Sequence, residues 1–479
     1  MRWLGIMQQK EYRLDRIMLF LKSKEGMSEL FRFVPKKTDF KRTGLKRPKL
    51  TSRSGLLSLI FIIISAIYFK LTIGIGFSYL VKFYPYPIWY GFLVVLITLI
   101  IFLILIPLFV LLSTIPTVLI AFIQTYLELY LATKKIKKGK PKIIGITGSY
   151  GKTSTKLLLS HILEQKFSVF MTPKSFNTKY SVARSIKMGY SNQEIAIIEY
   201  AAYKKGEIKT LAKWFTPNFA IITGLTQQHL GLFGSLQDII IAKSELVASL
   251  SKRSTVICNS YDESTKQICE IGRKNNNANL IEVSLGINSQ IKNEKLNAEG
   301  KLQFEWMGEV IFTQLLGLQY RELISIVIVM AEQLGLSKLE IATGLKTFVP
   351  NEKFMFMFKR LNGLRVIDDG NSSNPKGFEA VINLSKSIKA RKKVLITSGI
   401  VDLGQKSREI HLSLARKSKK VFDKVVYVGE SGKSEFIELF VNDCLTSNEQ
   451  FKELLSSLNQ EDLLVIEGRM PGYIIKELQ

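Results

Sequence analysis

The sequence predicts an α/β protein preceded by a helical membrane region. Three observations carry this: long apolar runs in the N-terminal quarter, a shift to soluble composition after Pro141, and a strand, glycine-rich loop and helix pattern over residues 142–156. At roughly 150 residues per domain, 479 residues suggest about three units.

The first element is a basic arm, residues 1–54. Residues 2–53 carry 15 Lys or Arg against 5 acids. The membrane region follows, residues 55–140. Residues 56–81 are apolar apart from Lys70, and no charged side chain lies between Lys82 and Glu128. Both 56–81 and 88–112 reach the roughly 20 residues a bilayer requires. The arm and the run KKIKKGKPK (134–142) are both basic, so both flanks read as cytoplasmic, which demands an even number of crossings. Two spans joined by the outer loop KFYPYP satisfy this, with Tyr84, Tyr86, Trp89 and Tyr90 at the interface. Pro107 and Pro116 are expected to break the apolar stretch that continues to Leu127, leaving a half-span or an interfacial helix. The first apolar run begins too late for a cleaved signal peptide. The expected location is therefore the cell membrane, multi-pass, with the later domains on the cytoplasmic side.

The formal charge of +27 excludes an acidic disordered tail, and three cysteines without metal-ligand spacing exclude a disulfide-built module. The basic arm reads as topogenic charge and contact with anionic lipid, making the bilayer a partner. No aromatic-interleaved basic module suggests nucleic acid.

In KIIGITGSYGKTSTK the β-branched run forms a buried strand, and the helix begins after the loop. The pattern GxxxxGK[ST] is met at its end by Gly151, Lys152 and Thr153, but Gly145 stands one place early and Gly148 must free the turn. Backbone N–H groups from Gly148 through Ser149 to Gly151 suit phosphate oxygens, and Lys152 suits the outer phosphates. Thr153 offers a hydroxyl to Mg²⁺, with Ser154 or Thr155 behind it. ATP or GTP binding is the expectation, against an ordinary glycine-rich turn.

Three later segments repeat the strand-to-loop logic. Glu199 ends an apolar strand, His229 follows a strand ending near Thr223, and Lys243 lies on the next helix. A carboxylate and an imidazole at adjacent strand ends suit metal ions that touch nucleotide phosphates, but a surface Glu, a capping His and a solvated Lys fit the same spacing.

Taken together, ITGSYGKTSTK, MTPKSFNTKYSVARSI, IIEYAA, QQHL, AKSEL and VICNS resemble the Mur ligase superfamily in residue type and order. The resemblance implies a P-loop Mur-ligase-type central domain, residues 141–350, which binds Mg-ATP, and a Rossmann-like C-terminal domain, residues 351–479. It implies that Glu199 binds Mg²⁺, that His229 holds a second ion and that Lys243, carbamylated in several members, supports it. Asn177 and Thr178 would approach metal and substrate, and Asn259 with Asp262 would close the adenine side. RVIDDGNSSNPKGFEAV resembles the start of the C-terminal domain, with Asp369 reaching nucleotide or amine and Asn374 and Pro375 kept.

Departures accompany the match. Gln319 and Leu323 stand where the family has His and Asn, and Asn371 and Ser372 where it has Tyr and Asn. The arginine expected at the domain junction has only Lys353 and Arg360 as candidates. The family's first domain, which grips the uridine diphosphate of the precursor, is replaced by the arm and spans. The branch resembled most is the ligase that adds D-alanyl-D-alanine to a muramyl tripeptide. The expected function is thus ATP-dependent amide-bond formation through an acyl phosphate. A cell-wall glycopeptide precursor is the expected acceptor, an amino acid or dipeptide the amine, and wall-synthesis proteins the candidate partners. The acceptor is expected to be lipid-linked or membrane-associated. A ligase extending another acidic polymer and a non-catalytic ATP-binding scaffold are the alternatives. For folding, residues 282–312 are expected as antiparallel strands, 320–334 as a helix, and 354–358 as a strand packing one face.

Overall fold

The computed structural model describes residues 2–9, 12, 14–21, 27, 51–82, 89–226, 233–274, 276–284, 291–370, 374–401, 403 and 406–478. The chain forms two compact units, Met1–Leu127 and Glu128–Gln479.

In the first unit, α1 (Arg2–Gln9) and α2 (Leu14–Leu21) bury Trp3, Ile6, Met7 and Ile17 with Val110. Helix α3 spans Ser52–Lys82 and α4 spans Trp89–Gly139. Both are long and apolar enough to cross a membrane, with mean hydropathy reaching 2.3 in an 18-residue window of Ser52–Ile75 and 3.4 in one of Trp89–Gly139. Their apolar side chains face outward, Phe92 being 73% and Phe122 68% exposed, as lipid rather than water would favour. The expected break at the prolines does not occur: α4 runs as one helix through Pro107 and Pro116, and no separate interfacial helix follows it. Around Pro116 the hydroxyls of Ser113, Thr114 and Thr117 donate to Phe109, Leu111 and Thr114 carbonyls at 2.5, 2.6 and 2.8 Å. Apolar helices tolerate proline when hydroxyls supply such bonds. The expected outer loop, with Tyr84 and Tyr86, lies outside the described residues.

The second unit begins within α4, at Glu128 rather than near 140, because Leu129, Ala132 and Ile136 are buried in its core. Its first sheet has strand order β2-β3-β1-β4-β5-β6, all parallel. The strands are β1 (Lys142–Thr147), β2 (Val169–Met171), β3 (Ile195–Glu199), β4 (Phe219–Ile222), β5 (Thr255–Asn259) and β6 (Asn279–Val283). Runs such as IAIIE and TVICN are buried throughout, the pattern of strands covered on both faces. On one face pack α5 (Lys152–Leu163), α10 (Tyr320–Gln333) and α11 (Lys338–Thr347). On the other pack α6 (Lys179–Gly189), α7 (Glu207–Trp214), α8 (Leu236–Ala248) and α9 (Glu263–Arg273). Strands β7 (Ile291–Leu296), β8 (Lys301–Trp306) and β9 (Glu309–Leu316) form the antiparallel sheet expected in that region, followed by the expected helix, α10.

The second six-stranded sheet has order β10-β11-β15-β12-β13-β14 and is parallel except for β10 against β11. Its strands are β10 (Phe356–Lys359), β11 (Arg365–Asp369), β12 (Lys393–Thr397), β13 (Lys424–Tyr427), β14 (Cys444–Leu445) and β15 (Leu463–Glu467). Helices α12 (Pro375–Ser387), α13 (Ser407–Lys419), α14 (Lys433–Phe440), α15 (Asn448–Ser457) and α16 (Gly472–Leu478) complete this half. The aromatic run 354–358 is half core and half strand: Phe354 and Met355 are buried, while Phe356 and Phe358 stack at 5.9 Å on β10.

Candidate active site

Strand β1 sits between β3 and β4, with Ile146 beside Glu199 and Thr147 beside Ile222. Its carboxyl end is a point where successive connections leave in opposite directions, which opens a crevice. The loop that fills it is fixed by β4. Ser149 N–H donates to the Gly224 carbonyl at 2.7 Å, and Thr223 Oγ1 donates to the Tyr150 carbonyl at 2.5 Å. A Cβ at Gly148 would enter Thr223 Oγ1, so glycine is required there by space. Gly151, at φ 75°, is the left-handed N-cap of α5, a conformation glycine adopts without strain. The N-terminal N–H groups of α5 therefore face the crevice without a side-chain cap.

Lys152 Nζ donates to the Gly148 carbonyl at 2.8 Å and the Ser149 carbonyl at 3.4 Å, folding the side chain back over its own loop. Burial lowers its pKa, and Glu199 opposes that shift. Thr153 Oγ1 lies 3.3 Å from Ser175 Oγ. Glu199 is fully buried at the end of β3, and the Lys156 ammonium lies 2.6 Å from its Oε1. Lys156 also donates to the Thr172 and Lys174 carbonyls at 2.5 and 2.6 Å. Lys243 on α8 is buried, and burial together with the Lys152 charge lowers its pKa to about 7.

Asn259 ends β5 and donates through Nδ2 to the Thr223 carbonyl at 2.5 Å and to Glu322 Oε2 at 3.0 Å. Asp262 caps α9, accepting from Ser264 N–H at 3.0 Å, and pairs with Lys376 at 2.9 Å. From the second sheet, Asp369 ends β11 beside Glu467 of β15. Glu467 Oε2 accepts from Thr397 Oγ1 at 3.0 Å, and burial plus the neighbouring Asp369 push its carboxyl well above the usual range.

Loop and strand ends of the two sheets enclose a cavity of about 840 Å³. Ser149, Gly151, Lys152, Thr153, Ser154, Asn259, Lys353 and Asp369 line it, so eight of the expected residues meet there. Arg321, Lys376 and Arg469 add three cations, a lining suited to a polyanion. Gln319 and Leu323, the two departures on α10, line it as well. Glu199 and Lys243 lie in the interior, where the Glu199 charge acts on Lys152 and the Lys152 charge acts on Lys243. Asp262 instead lines an adjoining cavity of about 530 Å³.

Arg360 is not brought to the cavity lining; its Nη2 donates to the Glu477 carbonyl at 3.0 Å. His229, Asn371 and Ser372 lie outside the described residues. His411 is buried on α13 and accepts through Nε2 from Ile400 N–H at 3.1 Å.

Sequence reasoning gave no role to Lys156, Tyr150 or Lys376. Lys156 had a signal: it shares the helix face of Leu159 and Leu163, where a lysine needs a buried counter-charge.

A divalent oxygen-seeking ion fits these residues. Glu199 Oε2 is buried without a protein hydrogen-bond partner, and the hydroxyl of Thr153 is exposed. Among the described residues no cluster of three or more His, Cys, Asp or Glu is present.

Residues 146–322 match the family described as the Mur ligase middle domain. The UDP-N-acetylmuramoyl-tripeptide--D-alanyl-D-alanine ligase of Rickettsia prowazekii is 27% identical over 291 residues, 59% of this chain and 64% of that one, just under two thirds of its length. A crystal structure of MurF from Acinetobacter baumannii superposes with a TM-score of 0.66 at 22% identity, covering 74% of this chain and 79% of that one. The MurF ligase from Thermotoga maritima in complex with ADP gives 0.63 at 23% identity, covering 72% and 80%. The central α/β region therefore has the Mur ligase fold.

Proposed function

We propose that this chain is a ligase of the Mur superfamily, an ADP-forming enzyme joining an amine to the carboxylate of a cell-wall precursor. The observation that carries this reading is the cavity itself, where a phosphate loop opening a helix faces Asp369 from a second sheet. The relatives' names favour D-alanyl-D-alanine as the amine and a muramyl tripeptide as the acceptor core. Helices α3 and α4 favour membrane association, and the basic segment 134–142 favours the cytoplasmic side for the ligase domains, 141–350 and 351–479. A membrane-borne acceptor is the corresponding substrate.

The chemistry follows from charge placement. The N–H groups of α5 and the Lys152 ammonium hold the phosphates of ATP and stabilise charge on the transferring group. The acceptor carboxylate attacks the γ-phosphorus, the bond to the β-phosphate oxygen breaks, and ADP leaves with an acyl phosphate formed. Glu199 and Thr153 would hold Mg²⁺, which supplies further neutralisation of the phosphate oxygens. Asp369 orients the incoming amine, which attacks the acyl carbon and expels phosphate, leaving an amide. Lys353 and Arg469 line the same cavity and add cationic character around the phosphates. Closure of the two halves excludes water from the acyl phosphate.

The experiment is mass analysis of products formed by the detergent-solubilised chain from ATP, acceptor and amine. A product heavier than the acceptor by the amine minus water supports the reading. Nucleotide binding without any such product, under every acceptor tried, overturns it.

A further inference from the structure

Lys376 is one of the cations lining the cavity, and it also ties the second-sheet half to the phosphate loop. It stands in the first turn of α12, just after the N-cap Asn374 and Pro375. Its ammonium donates to Asp262 Oδ2 at 2.9 Å and to the Tyr150 hydroxyl at 3.0 Å, and lies 4.9 Å from the Tyr150 ring centroid. Both acceptors belong to the first-sheet half. Asp262 caps α9 and its side chain is only 12% exposed, so part of the ion pair is shielded from water.

Tyr150 is held at three points. Its carbonyl is fixed by Thr223, its ring occupies the space over Gly224, where any Cβ would enter it, and its hydroxyl meets Lys376. Tyr150 lies between Ser149 and Gly151, so these three contacts hold the middle of the loop that carries the phosphate-facing N–H groups.

We propose that Lys376 is a positioning residue: by engaging Asp262 and Tyr150 together, it seats the phosphate loop when α12 lies against the first-sheet half. The consequence rests on the ligase reading. An acyl phosphate made while the halves are apart meets water, whereas a loop seated only on closure keeps phosphoryl transfer and amide formation in step. The ion pair and the tyrosine contact thus couple closure to chemistry without touching the reacting atoms.

The test compares the full-length protein with Lys376→Ala, Lys376→Arg, Tyr150→Phe and the Ala/Phe double variant. Hydrogen exchange over residues 145–156 is read first, in nucleotide-free protein. The proposal predicts at least about threefold faster loop exchange in Lys376→Ala, recovery in Lys376→Arg, and a double variant no faster than the faster single one. In turnover, amide formed per ADP falls in Lys376→Ala and recovers in Lys376→Arg. Unchanged loop exchange, additive effects in the double variant, or weakened ADP binding with an unaltered loop overturns it, the last making Lys376 a nucleotide contact. A parent protein that forms no amide defeats the ligase reading alone, because the exchange comparison still decides whether Lys376 seats the loop.

Discussion

Replacing Glu199 with glutamine isolates the buried ion pair behind the phosphate loop. Both partners are fully buried and 2.6 Å apart, so the carboxylate supplies the countercharge that keeps Lys156 protonated. Burial already lowers the Lys156 pKa from 10.5, with Glu199 opposing it. Removing one partner of such a pair costs about 3–5 kcal/mol. The Thr172 and Lys174 carbonyls remain as acceptors, which favours the lower end of that range. An upper bound comes from linkage: Lys156 escapes by losing its proton, which at pH 7 costs about 5 kcal/mol against an unfolded value of 10.5, and at pH 9 about 2 kcal/mol. The sign follows. In the variant the folded state binds fewer protons than the unfolded one, so its stability rises with pH relative to the parent, and the gap narrows above neutrality. Urea unfolding of the detergent-solubilised protein at pH 7 and pH 9, followed by tryptophan fluorescence, measures both values. A variant as stable as the parent at pH 7, or a gap that does not shrink by pH 9, would show that Glu199 is not the countercharge of Lys156.

Other expectations rest on separate groups. Lys152→Ala should remove acceptor-dependent ADP release, a loss of at least about 100-fold, with the fold retained by circular dichroism. Lys243 has a folded pKa of about 7, so the unfolded state binds its proton more readily between there and 10.5, and the parent gains stability with rising pH at up to about 1.4 kcal/mol per unit. Lys243→Met should flatten that rise, and a parallel pH profile for the two proteins would contradict the assignment. Glu467 is held protonated above the usual carboxyl range, so it favours the folded state below its unfolded value of 4.5 and that contribution is lost as pH rises through its folded pKa. Glu467→Gln should therefore match the parent near pH 4 and exceed it in thermal stability near pH 8; equal melting temperatures at both would count against a raised carboxyl.

What the sequence made legible was chiefly local. The phosphate loop could be read because its strand, glycines, lysine and helix lie within fifteen consecutive residues, and their geometry depends mainly on one another. The parallel strands were legible as buried apolar runs. The Lys156–Glu199 pair was not, because its partners lie 43 positions apart and meet only after β1 and β3 align. Tyr150 and Lys376, 226 positions apart, are joined by packing of the two halves. Arg360 shows the converse failure: its residue type and neighbourhood suited a phosphate contact, but the turn after β10 aims it at the Glu477 carbonyl. The prolines of α4 misled because their cost is set by the solvent around the helix and by nearby hydroxyls, neither of which the residue type reveals.

If one cavity couples ATP cleavage to amide formation, phosphate release must depend on both acceptor and amine. Detergent-purified protein with Mg-ATP is compared alone, with a muramyl-tripeptide acceptor and D-alanyl-D-alanine, and with a membrane lipid extract plus the same amine. Release should require both acceptor and amine and be strongest with the membrane-borne acceptor. Nucleotide binding with no stimulated release in any mixture would contradict that coupling.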